Sequence, residues 1–310
     1  MFIIYILMYN LPSGYIETKA RELASRPGAT KSYAEWLADL NAQYGMNQGV
    51  VAGYFTWIKS AVTGNWGDSW SWTIPVIKEF HNTIWYSFAL GLVSFILEIL
   101  IAIPLGISAA KHQYSITDYS ATVISMVCIS MPTFFLATIL KYVFSVKLGW
   151  FDLTGMQGRN YMNLSLVGKI LDIAKHFVMP AITVTIISIG GLMRYTRTNM
   201  LEVLNSDYIR TARAKGVPEK KVINHHAFRN TLIPLITMLG GSLPSLFSGA
   251  LITETLFGIR GIGYASYTSM TQGDIPFIMF YLAFISILTL LGNLISDLLY
   301  GLVDPRVRLS

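Results

Sequence analysis

Charge is scarce in this sequence. Asp, Glu, Lys and Arg together make up 13% of 310 residues, against roughly 25% in an ordinary soluble domain. With 53% hydrophobic residues and a mean hydropathy of +0.50, this balance argues against a purely soluble fold. Cysteine is scarcer still. Cys128 stands alone inside an apolar run, so an internal disulfide and a metal site built on cysteine are excluded, and it reads as a small packing residue. No Gly-x-x-x-x-Gly-Lys-Ser/Thr occurs, so the chain lacks a Walker-type phosphate cradle. The spaced glycines Gly258, Gly261 and Gly263 have no flanking strand and helix, and read as a turn rather than a dinucleotide site. His81, His112, His176, His225 and His226 all fall at or beyond the ends of apolar runs, which removes the Ser/His constellation an intramembrane enzyme needs. His225 and His226 are adjacent, point about 100° apart on a helix, and have no further ligand at metal spacing.

Long apolar runs are what the sequence has instead. A bilayer core about 30 Å thick needs roughly 20 apolar residues of helix, because unpaired backbone groups are too costly in lipid. Five stretches qualify, 85–110, 122–146, 178–195, 232–253 and 277–302. Residues 1–10 hold a shorter apolar piece, expected to be the outer end of a first span whose start is missing, and 11–80 then form an extracytoplasmic loop. The formal net charge is +6, and its placement orients the chain. Between Arg194 and Arg229 eight basic residues face Glu202, Asp207 and Glu219, whereas 11–80 carry six of each sign. The positive-inside rule therefore makes 196–231 a cytoplasmic loop and puts the C-terminus on the same side. The loop at 147–176 runs mildly against this, with four basic residues against Asp152 and Asp172. All seven Trp residues fall in outer loops or at outer span ends, either as interfacial anchors or as packing within the outer segment.

Polar groups inside the spans are few. Glu98, Lys141 and Asp297 each need a partner, a route to the interface or a water-filled face. Lys141 is placed to snorkel and Asp297 lies near an inner end; Glu98 is mid-span and is the candidate pathway residue. Pro104, Pro132, Pro180, Pro234 and Pro244 interrupt the spans, and Gly190-Gly191 and Gly240-Gly241 permit close helix approach. These are features of a multi-helix bundle.

The cytoplasmic loop carries the most specific signal. Asn205 to Leu235 reads as two short helices: Ser206 caps the first, Asp207 suits its positive end, Arg213 and Lys215 its negative end, and Gly216 with Pro218 stops it. The second starts near Glu219. The first presents Tyr208, Ile209 and Ala212 in a basic surround, suited either to a soluble partner or to anionic lipid. Nucleic acid is a poor fit, since the loop is short and offers only Tyr208 and Phe228 for stacking.

Asp207 to Gly216 (DYIRTARAKG) resembles the cytoplasmic loop of ABC importer permeases of the peptide and nickel branch. Arg210-Thr211-Ala212 stands at the family's Glu-Ala-Ala position and Gly216 at its glycine, while His226 to Arg229 departs from Ile-x-Leu-Pro. Gly64 to Ser69, Ser130 to Phe134, Glu254 to Gly258, Asp297 to Tyr300 and Asp304-Pro305-Arg306 resemble further landmarks of the B-type subunit. The resemblance implies an all-α integral membrane protein of the type I importer architecture, with six spans in the family, the first incomplete here, and the permease domain over 81–310. It implies a permease subunit of an ATP-driven oligopeptide or dipeptide importer in a bacterial or archaeal cell membrane, forming half of the pathway and not itself an enzyme. Its partners would be a C-type permease subunit, two ATP-binding subunits that hold ATP and Mg, an extracytoplasmic peptide-binding protein, and the peptide. No cofactor is expected on this chain. Asp207, Tyr208, Arg210, Thr211, Ala212, Arg213, Ala214, Lys215 and Gly216 are then the coupling element to an ATP-binding subunit. The rival readings are a permease for nickel or glutathione, and an ion-gradient carrier working alone through Glu98 and Asp297.

Overall fold

The computed structural model describes residues 2–10 and 14–303; residues 11–13 of the outer segment and the Asp304-Pro305-Arg306 landmark lie outside them. The described residues are helical without a named strand. In chain order the helices are α1 (Phe2–Tyr9), α2 (Gly14–Ser25), α3 (Tyr33–Tyr44), α4 (Val50–Val62), α5 (Val76–Lys111), α6 (Ile116–Ser130), α7 (Thr133–Leu140), α8 (Leu166–Leu204), α9 (Asp207–Ala214), α10 (Glu219–Lys221), α11 (Phe228–Ser242), α12 (Ser245–Ser248), α13 (Leu251–Phe257), α14 (Ile262–Gln272) and α15 (Ile275–Val303). Two wide π turns extend the set, Lys141–Lys147 after α7 and Val222–Ala227 before α11. Four stretches are long and apolar enough to cross a membrane: Val76–Lys111, Leu166–Leu204, Pro234–Phe257 and Ile275–Leu299. A fifth counts if Ile116–Ser130 and Thr133–Lys147 form one span bent by 102°.

These helices revise the expected spans. The stretch at 122–146 is two helices rather than one, because Pro132 has no N–H to continue α6 and holds Met131 extended (ψ 122°). The stretch at 232–253 is divided after Pro244 and at Gly249, whose φ of 81° is left-handed. Within the expected cytoplasmic loop at 196–231, α8 carries on through Leu204. Hydropathy falls after Arg194 while the backbone stays helical, because Met200 and Leu204 are buried against the inner loop's core. The same helix starts at Leu166, inside what reads as the preceding loop. α5 has 36 residues, about 54 Å at 1.5 Å per residue, far more than the bilayer core requires.

The chain forms two compact units, one of residues up to Asn82 together with Thr268–Phe284, the other of Thr83–Tyr267 with the residues from Ile285 on. The first unit thus ends two residues beyond the expected boundary at 80/81 and takes in 268–284 as well. In that unit α2 to α4 are stable helices with their own signals: Ser32 and Glu35 form a reciprocal capping box and Gly45 (φ 67°) ends α3. Tyr5, Leu40, Tyr44, Trp57, Trp70, Ile275 and Met279 build its core. Asp274 is fully buried there and ties the segment before α5 to the start of α15, accepting from the Ser69 hydroxyl, from the N–H of Trp70 and Ser71 at 3.1 Å each, and from Phe277 N–H at 3.3 Å. Beside it, burial pushes the Tyr44 hydroxyl's pKa well above its ordinary value, and the Asp274 charge adds to the effect. Trp57 and Trp70 are packing residues, whereas Trp85 and Trp150 are more than half exposed.

In the second unit, Gly190 and Gly240 each seat a helix crossing: a Cβ would come within 2.6 Å of Ser125 O and 2.7 Å of Leu299 Cδ1 respectively. The Lys141 Nζ donates to Leu256 O at 2.6 Å, satisfying a carbonyl in the last turn of α13.

Candidate coupling helix and transmembrane cavity

α9 is a short rigid helix with one face seated and one face free. Its start follows α8 without pause: Ser206 takes the extended N-cap conformation but makes no side-chain cap, because its hydroxyl donates back to Val203 O at 2.6 Å and closes α8 instead. Its end turns at Gly216, whose φ of 76° suits glycine, with Gly216 N–H bonded to Arg213 O and Val217 N–H to Ala212 O. A Cβ there would meet nothing. The glycine is therefore required by the backbone and not by crowding.

The seated face corrects one expectation. Ile209 is fully buried with Met200, Leu204, Val222, Ile223 and Ala227 and so is not presented outward, while Ala212 packs against the same cluster and stays partly exposed. The free face consists of Asp207, Tyr208, Arg210, Thr211, Arg213, Ala214, Lys215 and Gly216. Arg213 pairs with Glu219 at 2.8 Å across the Gly216 turn, and that hydrogen bond holds the Glu219 carboxyl below its ordinary range. Arg210 reaches Asp207 only at 3.6 Å and is 71% exposed. The eight basic residues of the region are thus not equivalent. Arg197 is a structural clamp, reaching from α8 to the buried Asp118 of α6 with Nη2 to Oδ2 at 2.7 Å, which its position in a basic loop does not reveal.

Glu98 faces a cavity of about 260 Å³ in the second unit. α5 contributes Ser87, Leu90, Gly91, Ser94, Phe95 and Glu98, spaced i, i+3, i+4, i+7, i+8 and i+11 on one helical face. Val184 and Ser188 of α8 and residues 245, 246 and 248–250 close it. Asp297, the other polar candidate, is exposed on α15. At the Ser87 end stands an acid whose role sequence reasoning missed. Glu254 is fully buried; its Oε1 accepts from the Ser87 hydroxyl at 2.6 Å and Ala250 N–H at 2.9 Å, its Oε2 from Tyr264 N–H at 2.9 Å. Ser87 Oγ accepts in turn from Ile262 N–H at 2.7 Å. Gly261 and Gly263 are the glycines of the expected turn, and a Cβ on either would lie within 3.0 Å of that carboxylate. Ser87 is 167 residues away in sequence, so no local signal announces the pair.

A seated loop helix between two apolar helices, beside a bundle with a polar cavity, is the build of a transport permease. Residues 102–309 match the family of binding-protein-dependent transport system inner membrane components, and the chain, a multi-pass membrane protein, belongs to that family. It is similar to the oligopeptide transport system permease protein AppB of Bacillus subtilis (strain 168), 39% identical over 267 residues covering 86% of this chain and 83% of that one. It is also similar to the dipeptide transport system permease protein DppB of Escherichia coli (strain K12), 33% identical over 290 residues covering 87% and 85%. A solved chain of the MetNI methionine ABC transporter in inward-facing conformations shares the fold, with a TM-score of 0.57 at 16% identity over 74% of this chain and 97% of that one.

Proposed function

We propose that the chain is the transmembrane permease subunit of an ATP-driven peptide importer, contributing half of the translocation pathway and coupling through α9 to an ATP-binding subunit. The observation that carries this is α9 itself, in a family that transports with binding proteins. Ile209 anchors the helix in the bundle while Tyr208, Arg210 and Thr211 face outward, so a push on the free face bears on the end of α8 and on the Val222–Ala227 turn that leads into α11. Such rigid-body transmission needs a short element with a fixed exit angle, which Gly216 and the Arg213–Glu219 pair supply. Peptide as substrate follows the relatives' names. In this reading the α9 loop and the end of α15 are cytoplasmic, ATP and Mg are held by two ATP-binding subunits, a C-type permease completes the pathway, and an extracytoplasmic binding protein delivers the peptide.

Replacing Tyr208 and Arg210 together by Glu leaves the buried face untouched. In the reconstituted complex, ATPase stimulation by peptide-loaded binding protein and peptide uptake should both fall at least ten-fold while the complex still melts as the parent does. Undiminished coupling in that variant sinks the assignment of α9, and uptake without any associated ATPase favours the gradient-driven carrier.

A further inference from the structure

We propose that the Glu98 cavity is a subsite for a primary ammonium, the free amino terminus of a peptide in transit; this rests on the peptide-permease reading above. The chemistry of the walls points there. Among the lining residues are five serines and one carboxylate, and there is no Lys, Arg or His. Most of those hydroxyl hydrogens are already spent: Ser94 donates to Ala181 O, Ser245 to Ser242 O, Ser248 to Ser245 O and Ser87 to Glu254. A hydroxyl that has donated still offers a lone pair. The cavity therefore presents acceptors, and a compact group with three N–H donors and a positive charge is their complement.

Glu98 is the charge in that set, and none of the described residues neutralises it. Within the described residues its carboxylate has no hydrogen bond or ion pair. Ser188, on the facing wall, likewise keeps a free hydroxyl. An unpaired carboxylate in the middle of a long apolar helix is expensive unless water or a ligand meets it. Contrast Glu254, whose two oxygens are filled by three donors of the fold. The fold can satisfy a buried acid here, and at Glu98 it does not. The volume, about 260 Å³, is below the roughly 300–1,000 Å³ of sites that enclose a drug-sized ligand, so it takes the end of a peptide and not the whole. Within its wall α5 lies so near α12 that a Cβ at Gly91 would stand 2.9 Å from Leu246 O.

The test uses the purified permease complex without binding protein, in equilibrium dialysis against labelled trialanine and its N-acetyl form. Wild type should retain trialanine at least ten-fold more tightly. Glu98→Gln should erase that preference, and Glu98→Asp, which keeps the charge, should restore part of it. No preference in wild type, or a preference that survives Glu98→Gln, overturns the subsite. An N-acetylated peptide ending in lysine separates the two sources of ammonium; retention equal to trialanine assigns the cavity to a side chain and overturns the amino-terminal assignment. ATP-driven uptake with loaded binding protein is measured on the same preparation, so that absence of uptake in wild type refutes the permease reading separately from the subsite.

Discussion

Glu254, held behind the cavity wall by Ser87 and Ala250, and Glu98, which lines the cavity, are treated by the fold in opposite ways. Eleven residues of α5 separate Ser87, which holds Glu254, from Glu98, a rise of about 16 Å. At the Glu254 end glycines withdraw so that backbone N–H groups can approach the carboxylate; at the Glu98 end the walls offer further acceptors. Buried polar groups persist when their partners are built in, so an acid with its donors supplied is part of the scaffold. An acid left without donors is waiting for something that comes and goes. Asp274 in the other unit belongs with Glu254, being filled by one hydroxyl and three N–H groups, and Glu219, exposed and paired with Arg213, is a third case.

Substitutions should separate these settings by size and by sign. Glu254→Ala strands one hydroxyl and two N–H groups in the interior and should cost about 3 kcal/mol or more, read as a fall of roughly 6 °C or more in the melting temperature of the purified complex. Survival of that variant at parental stability would break the scaffold half of the comparison. Asp274→Ala removes the N-terminal cap of α15 along with the Ser69 tie and should cost about 2–3 kcal/mol; limited proteolysis should then cut within 14–75 before anywhere else. Glu98→Gln should go the other way, leaving the melting temperature unchanged or raising it by about 1 kcal/mol worth of stability, since it removes a charge that nothing in the fold pairs. The smallest effect belongs to Glu219→Ala, about 0.5 kcal/mol, because both partners of that pair are about half exposed. Its pH dependence has a definite direction. Arg213 depresses the folded-state value of Glu219, so this contribution is complete above the ordinary glutamate range near 4.3 and is lost as pH falls through the depressed value. An acid titration of wild type against Glu219→Gln should converge only in that acidic window.

Much of the membrane-spanning part was readable because hydropathy is a local property. The runs at 85–110 and 277–302 lie within α5 and α15, and Pro132 marked a weak point in a third. What hydropathy misses is continuation: α8 keeps its helix past Arg194 because Met200 and Leu204 find a core beneath the inner loop, and that core is assembled from residues far along the chain. The outer segment looked like a loop because it is polar on average, although Ser32 and Glu35 spelled out a helix start that a closer reading would have found. At α9 the stop at Gly216 was legible, whereas the inward turn of Ile209 depends on Val222 and Ile223 arriving underneath. Glu254 was visible as a family landmark only, and its chemistry depended on Ser87.

The wide turn at Val222–Ala227 has one more consequence. A π turn holds an extra residue against the same axial advance, so the stretch joining α10 to α11 carries one residue of slack. Deleting a single residue there would be absorbed by tightening the wide turn to an ordinary α turn, with the faces of α11 kept in register and the helix not unravelled. The join is a buffer: it can give back one residue without turning the helix that follows.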